Sequence, residues 1–129
     1  MIKSQMREKT KDLMCKGVLQ MIYMDRMDEK RKHRQLIAQI IHLILAIDLY
    51  QHSFEKMYLS DTQKFFTQDA QQKFNSHNLS SYLSYVELTL EKEVERVAEC
   101  LDISTKQKLL QLLEKEIIDS LKDNMLSNQ

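Results

Sequence analysis

Nucleophilic catalysis or metal binding needs polar side chains at spacings that a helix or turn can gather onto one site, and the histidines are the first residues to test. His33, His42, His52 and His77 are scattered, with no two of them three or four residues apart. Cys15 and Cys100 form no Cys-x-x-Cys pair, and Glu-x-x-His does not occur. Zinc and di-iron sites therefore lack their usual helical spacing. Gly17 is the only glycine, which excludes the glycine-rich loops that cradle phosphates or dinucleotides. No catalytic, cofactor-binding or metal-ligating residue is assigned, and no small-molecule substrate is expected.

Three weaker groupings remain. Glu93 and Arg96 lie three apart, a spacing that permits an ion pair worth roughly 0.5 kcal/mol when exposed. A catalytic carboxylate there would need a partner that the chain does not offer, so structural pairing is expected. Met14, Met21, Met24, Met27 and Met57 fit either a pliable binding surface or, at helical spacing, a core, and the core is expected. His42 falls opposite the Ile37, Ile40 and Ile44 face, beside Gln35 and Gln39, which predicts a solvent-facing stripe with a partner contact as the alternative.

The elements that would position these residues follow from composition. Nineteen basic and nineteen acidic residues balance, so no overall field draws the chain to nucleic acid or to an acidic membrane. The one basic run, Lys30-Arg31-Lys32-His33-Arg34, is preceded by Asp25, Asp28 and Glu29, and a solvated turn with a helix start is expected there. No secretory h-region opens the chain, and no apolar run approaches the roughly 20 residues that span a bilayer. A reducing cytoplasmic or nuclear location is expected, with both thiols serving as small packing residues. Proline is absent, which together with the single glycine removes the usual hairpin residues and predicts an all-α fold. The length suits one domain over residues 1–129.

Apolar residues spaced by three and four place five helices, at about 7–25, 29–48, 49–75, 80–102 and 104–124. The first carries Met14, Val18, Met21 and Ile22. The second, with Ile37, Ile40, Ile41 and Ile44, is dense enough for the centre of a bundle. Phe54, Tyr58, Phe65, Phe66 and Phe74 supply the third with core wedges. Asn75-Ser76-His77-Asn78 is a break. In the fourth, Leu83, Val86, Leu90, Val94, Val97 and Leu101 share one stripe, with Lys92, Glu95 and Glu99 opposite. Ser104 and Gln107 match a capping box, and Leu110, Leu113, Ile117 and Leu121 line the fifth helix, flanked by Leu109 and Ile118. Antiparallel neighbours on short loops make a bundle, frayed from about Asn124.

Tyr50, Phe54-Glu55, Leu59, Thr62 and Phe65-Phe66 resemble the Y-x-x-x-F-E-x-x-[FY]-L-x-x-T-x-x-[FL]-[FY] run of cullins. Tyr82, Leu83, Val86, Leu90, Glu91, Glu93, Arg96, Val97, Leu101, Ser104 and Thr105 continue the likeness in order. From about Lys9 to the end the chain is similar to a cullin N-terminal region, by register the second cullin repeat. The short Ile47 to Tyr50 connection, Cys100-Leu101-Asp102 and Ser104-Thr105 resemble the third and fourth cullin paralogues.

The resemblance implies a five-helix cullin repeat, a unit of an α-helical stalk in a RING-type ubiquitin ligase. It implies a non-enzymatic spacer in ubiquitin-dependent protein degradation, whose partners are other cullin-repeat regions or ligase subunits. The family's adaptor-docking first repeat and C-terminal RING-binding region have no counterpart here. A truncated or non-assembling relative is thus expected, and no recruiting or modification residue carries over. By both readings the matching residues are packing and capping positions, and the weakly patterned first helix is the expected docking surface. The competing reading is an unrelated helical bundle that binds a partner helix through Met14, Met21 and Met24; a helical-bundle enzyme comes third.

Overall fold

The computed structural model describes residues 2–28, 30–76 and 78–127, with side chains at 8–28, 30–75 and 78–122. Among these residues the fold is all-α: α1 (Ile2–Met27), α2 (Arg34–Ala46), a π-helical turn (Tyr50–Phe54), α3 (Glu55–Ser76), α4 (Leu79–Cys100) and α5 (Thr105–Ser127). The helices pack in a closed circuit, with α1 against α2, α2 against α4, α4 against α5, α5 against α3, and α3 back against α1. The core inside the circuit holds Val18, Ile22, Ile37, Ile44, Phe54, Tyr58, Val97, Leu109 and Leu113. No single helix among the described residues is long and apolar enough to cross a membrane.

Each expected helix is present, and the differences have local causes. The second helix starts at Arg34 because Arg31 adopts a left-handed φ of 57°, a conformation that ends helical propagation; Glu29, the expected start, lies outside the described residues. Its far end closes as a Schellman motif, with the Leu49 amide donating to the Ile44 carbonyl (3.0 Å) and the Asp48 amide to that of Leu45 (3.1 Å). Asp48 occupies the left-handed position at φ 58°, where glycine is usual. The chain bends by 114° between α2 and the following helix, so the expected antiparallel reversal is a sharp corner instead. Asn78, the last residue of the expected break, caps α4 by accepting from the Ser81 amide at 2.8 Å. His77 in that break is not described.

Ser104 directly precedes α5, but its hydroxyl donates to the Asp102 carboxylate, which also accepts the Ser104 amide at 3.2 Å. An Asx turn at Asp102 therefore replaces the expected Ser104–Gln107 box. Helix α5 buries Leu109 and Leu113 and exposes Ile118, a face turned slightly from the one predicted. It also runs beyond 124, where fraying was expected; side chains there are not described.

Two faces depart further. The aromatic wedges hold, with Phe54 of the π-helical turn and Tyr58 of α3 fully buried, but α2 is only half enclosed: Ile37, Ile41 and Ile44 point inward while Leu36, Leu43 and, just past its end, Ile47 are exposed. On α4 the buried positions are Tyr82, Glu93, Arg96, Val97 and Cys100, and Leu83 is exposed. The α4 face is rotated because Tyr82 meets Phe74 edge to face at 5.1 Å and because two charged residues occupy its centre. Neither weight enters a count of aliphatic residues.

Candidate functional site

Glu93 and Arg96 do form the pair that their spacing permits, at 2.6 Å, but each is only 2% exposed. Charges removed from water in this way persist only when fully paired. From α1, Arg26 reaches Glu93 at 2.9 Å and donates to Thr62 Oγ1 of α3 at 2.8 Å. Its guanidinium lies 5.3 Å from the ring centroids of Phe65 and Phe66, so an aromatic lining complements its charge. Asp25, beside it in sequence, accepts from Arg96 Nε at 2.6 Å and from Arg34 of α2 at 3.1 Å. Arg34 continues outward to Glu95 at 3.1 Å and Glu99 at 2.8 Å, where Arg31 also pairs with Glu95.

This network joins α1, α2, α3 and α4 and sets four guanidiniums against four carboxylates. The local charges cancel, as burial requires. The basic run forms the expected turn and helix start, with Lys30, Arg31 and Lys32 exposed, but Arg34 departs from it by being drawn into the network. The expected structural pairing of Glu93 with Arg96 is present, and it is buried. Burial pushes the Asp25 and Glu93 carboxyls up, but their arginine partners, Arg34 and Arg96 for the first and Arg26 and Arg96 for the second, outweigh it and hold both below the usual carboxylate range.

A carboxyl with a depressed folded pKa contributes stability that is complete above its unfolded value, about 4, and is lost as pH falls through the folded one. Urea midpoints measured from pH 7 downward are therefore expected to hold until about pH 5 and then fall. Replacing both Asp25 and Glu93 should flatten that fall. An acid limb unchanged in the double variant would rule the network out as its source.

A second polar chain lies just beyond the C-terminal end of α4. Thr105 donates its hydroxyl to Glu55 at 2.7 Å, so its oxygen must accept the Tyr50 proton across the 2.6 Å contact between them. The Tyr50 oxygen in turn accepts the Asp102 amide at 3.1 Å, and Lys108 closes the series on Glu55 at 2.5 Å. The hydroxyls of Tyr50 and Thr105 thus each donate once and accept once, so both are paired. The π-helical turn makes this geometry available. It adds one residue to the first turn after the corner, aiming Tyr50 at the α4–α5 connection while Phe54 and Tyr58, with ring centroids 5.9 Å apart, stay in the core.

The remaining sequence candidates separate cleanly. His42 and His52 are exposed, His33 is partly buried, and His77 lies outside the described residues. Cys15 and Cys100 are buried free thiols, and burial pushes Cys100 up to about 11. They pack rather than react. Met14, Met21 and Met57 lean on the core as expected, whereas Met24 and Met27 are exposed. Among the described residues no group of three or more His, Cys, Asp or Glu could hold a metal ion. A cleft of about 470 Å³ opens between α1, α3 and α4 above the arginine network. Its guanidiniums are committed to carboxylates, and on its wall the Tyr85 hydroxyl donates to Asp69.

The cullin alpha solenoid domain model matches residues 2–129. The chain is 28% identical over 102 residues to cullin-4A of Mus musculus, a match covering 79% of this chain and 13% of that protein. It is 32% identical over 87 residues to cullin-3A of Arabidopsis thaliana, covering 66% of this chain and 12% of the relative. Cullin-4 of Dictyostelium discoideum is 29% identical over 93 residues, 72% of this chain and 12% of that protein. The matched stretches thus span 12–13% of the length of these relatives. No solved structure matches.

Proposed function

This chain belongs to the cullin family, and we propose that it serves as one cullin-repeat unit, a rigid and non-enzymatic segment of a RING-type ubiquitin-ligase scaffold acting in the cytoplasm or nucleus. The observation that carries this reading is where the family-motif residues sit. Thr62, Glu93 and Arg96 belong to the first polar network, and Tyr50, Glu55 and Thr105 to the second. Both cross-link helices, and a helical unit with close-packed, cross-linked neighbours transmits position from one end to the other. A ligase needs that property to fix the distance between a bound substrate and a ubiquitin-charged enzyme. Its partners in this reading are adjoining solenoid segments and ligase subunits, not nucleic acid, membranes or small molecules.

Two measurements test it. Native-state hydrogen exchange is expected to show that amides in Tyr50–Phe66 and Glu93–Leu101 open only with global unfolding. Mixing the purified chain with tagged RING and adaptor proteins is expected to retain neither. Fast exchange in both stretches would remove the rigid-spacer argument, and stoichiometric RING binding by this chain alone would overturn the assignment of these residues to the interior of the scaffold.

A further inference from the structure

The cleft of about 470 Å³ between α1, α3 and α4 has cationic walls: six of its lining side chains are basic, and three, Asp25, Asp69 and Glu93, are acidic. Each of the three acids is covered. The side chains of Asp25 and Glu93, 1% and 3% exposed, are held by arginines, and Asp69 accepts the Tyr85 hydroxyl. Two of the arginines, by contrast, enter the network through only two of their three nitrogens. Arg26 uses its Nε and Nη2 on Glu93 and Thr62, and Arg96 its Nε and Nη1 on Asp25 and Glu93. The Nη1 of Arg26 and the Nη2 of Arg96 take no part in these bonds, yet the two side chains are only 5% and 3% exposed and both line the cleft. Guanidinium N–H groups so little exposed to water call for an acceptor.

We propose that this cleft recognises a phosphorylated tyrosine side chain on a partner protein, with the phosphate on Arg26 and Arg96 and the ring against Phe65, Tyr85 and Leu88. A phosphate offers oxygens in several directions to guanidiniums arriving from two helices, whereas a planar carboxylate is satisfied by a single fork. The donors lie on the floor of the cleft, so the phosphate must be carried on a long stem. A phosphotyrosine ring supplies that length and matches the aromatic wall, while the short stem of phosphoserine would hold its phosphate at the rim. Met27 and Leu88, 63% and 51% exposed, line the same cleft and suit apolar residues on either side of the modified tyrosine. The proposal does not depend on the ligase reading, because it rests on donors that the interhelical bonds leave over.

The probes are three short peptides of one sequence, with leucine on either side of a central phosphotyrosine, phosphoserine or unmodified tyrosine, titrated into the isotope-labelled protein. The phosphotyrosine peptide is expected to shift amides in 65–73 and 85–96, and the other two to bind about tenfold more weakly or less. Free phenyl phosphate should compete with it for the same amides. Leu88→Glu sets a carboxylate on the cleft wall at an exposed position, and is expected to weaken binding by about tenfold while the urea midpoint stays near wild type. Leu36→Glu, on the exposed face of α2, adds the same charge outside the cleft and should leave binding unchanged. The peptide comparison needs no variant, so it stands whether or not Leu88→Glu folds. Equal binding of the phosphotyrosine and phosphoserine peptides, shifts confined to the Lys30–Arg34 turn, equal weakening by Leu36→Glu and Leu88→Glu, or no shift in either stretch would each overturn the proposal.

Discussion

Replacing Glu93 by alanine is expected to lower the free energy of unfolding by about 3–5 kcal/mol, the cost of breaking a buried ion pair from one side. Arg96 keeps Asp25, at 2.6 Å, but Arg26 is left with only Thr62 and the rings of Tyr58, Phe65 and Phe66. A guanidinium without a carboxylate in that setting must either hold its charge against burial or drag water into the helix circuit. Urea unfolding measures the loss. The triple variant Arg26→Met, Glu93→Leu, Arg96→Met separates pairing from packing, since apolar replacement of an entire buried network often restores or exceeds the original stability. It is expected to recover most of the Glu93→Ala loss while leaving Asp25 paired with Arg34. A cost below about 1 kcal/mol for Glu93→Ala would mean that the network is solvated, as exposed pairs are, and the rigidity argued from it would go.

The same network marks where sequence reasoning stopped. Helical spacing found α4 and the Glu93–Arg96 pair, because three residues is a local relation. It could not bring Arg26 and Asp25 from α1 to that pair, 67 and 71 residues away in the chain. A usable signal was nonetheless present: a glutamate and an arginine at the edge of an apolar stripe are too costly to bury alone, so burial of either implies partners elsewhere. Arg34 illustrates the converse error. Within its basic run it reads as solvated, and only the α2–α4 packing turns it inward. On α1, the doubt between core and binding surface divided along the helix, with Met14 and Met21 inside and Met24 and Met27 outside. The family-motif residues were legible as a set but not as two networks. Their polar members were read as packing and capping positions, whereas Thr62, Glu93 and Arg96 tie α3 and α4 to α1, and Tyr50, Glu55 and Thr105 tie the corner to α5. The π-helical turn had no signal, since five residues in that conformation keep the same composition as an α-helix.

That turn concentrates the other large effect. Phe54 is fully buried between Tyr50 and Tyr58, with ring centroids 5.4 Å and 5.9 Å away. Phe54→Ala is expected to cost about 3–5 kcal/mol, because the surrounding rings belong to different helical turns and cannot all collapse into the space left. Tyr50→Phe keeps the neighbouring ring and removes one oxygen. It strands the Asp102 amide and takes away the only proton offered to Thr105, for an expected loss of about 1–3 kcal/mol. The two variants also differ in kind. A cavity loosens the core around α3, whereas a stranded amide acts at the α4–α5 connection, so hydrogen exchange of Asp102 should accelerate in Tyr50→Phe beyond what its global stability accounts for. If Tyr50→Phe unfolds at the wild-type urea midpoint, the Tyr50 hydroxyl is exchanging with water, and the π-helical turn exists for packing alone. If its loss instead couples strongly with that of Thr105→Val in a double-mutant cycle, the hydrogen-bonded series is the reason the chain carries a tyrosine there.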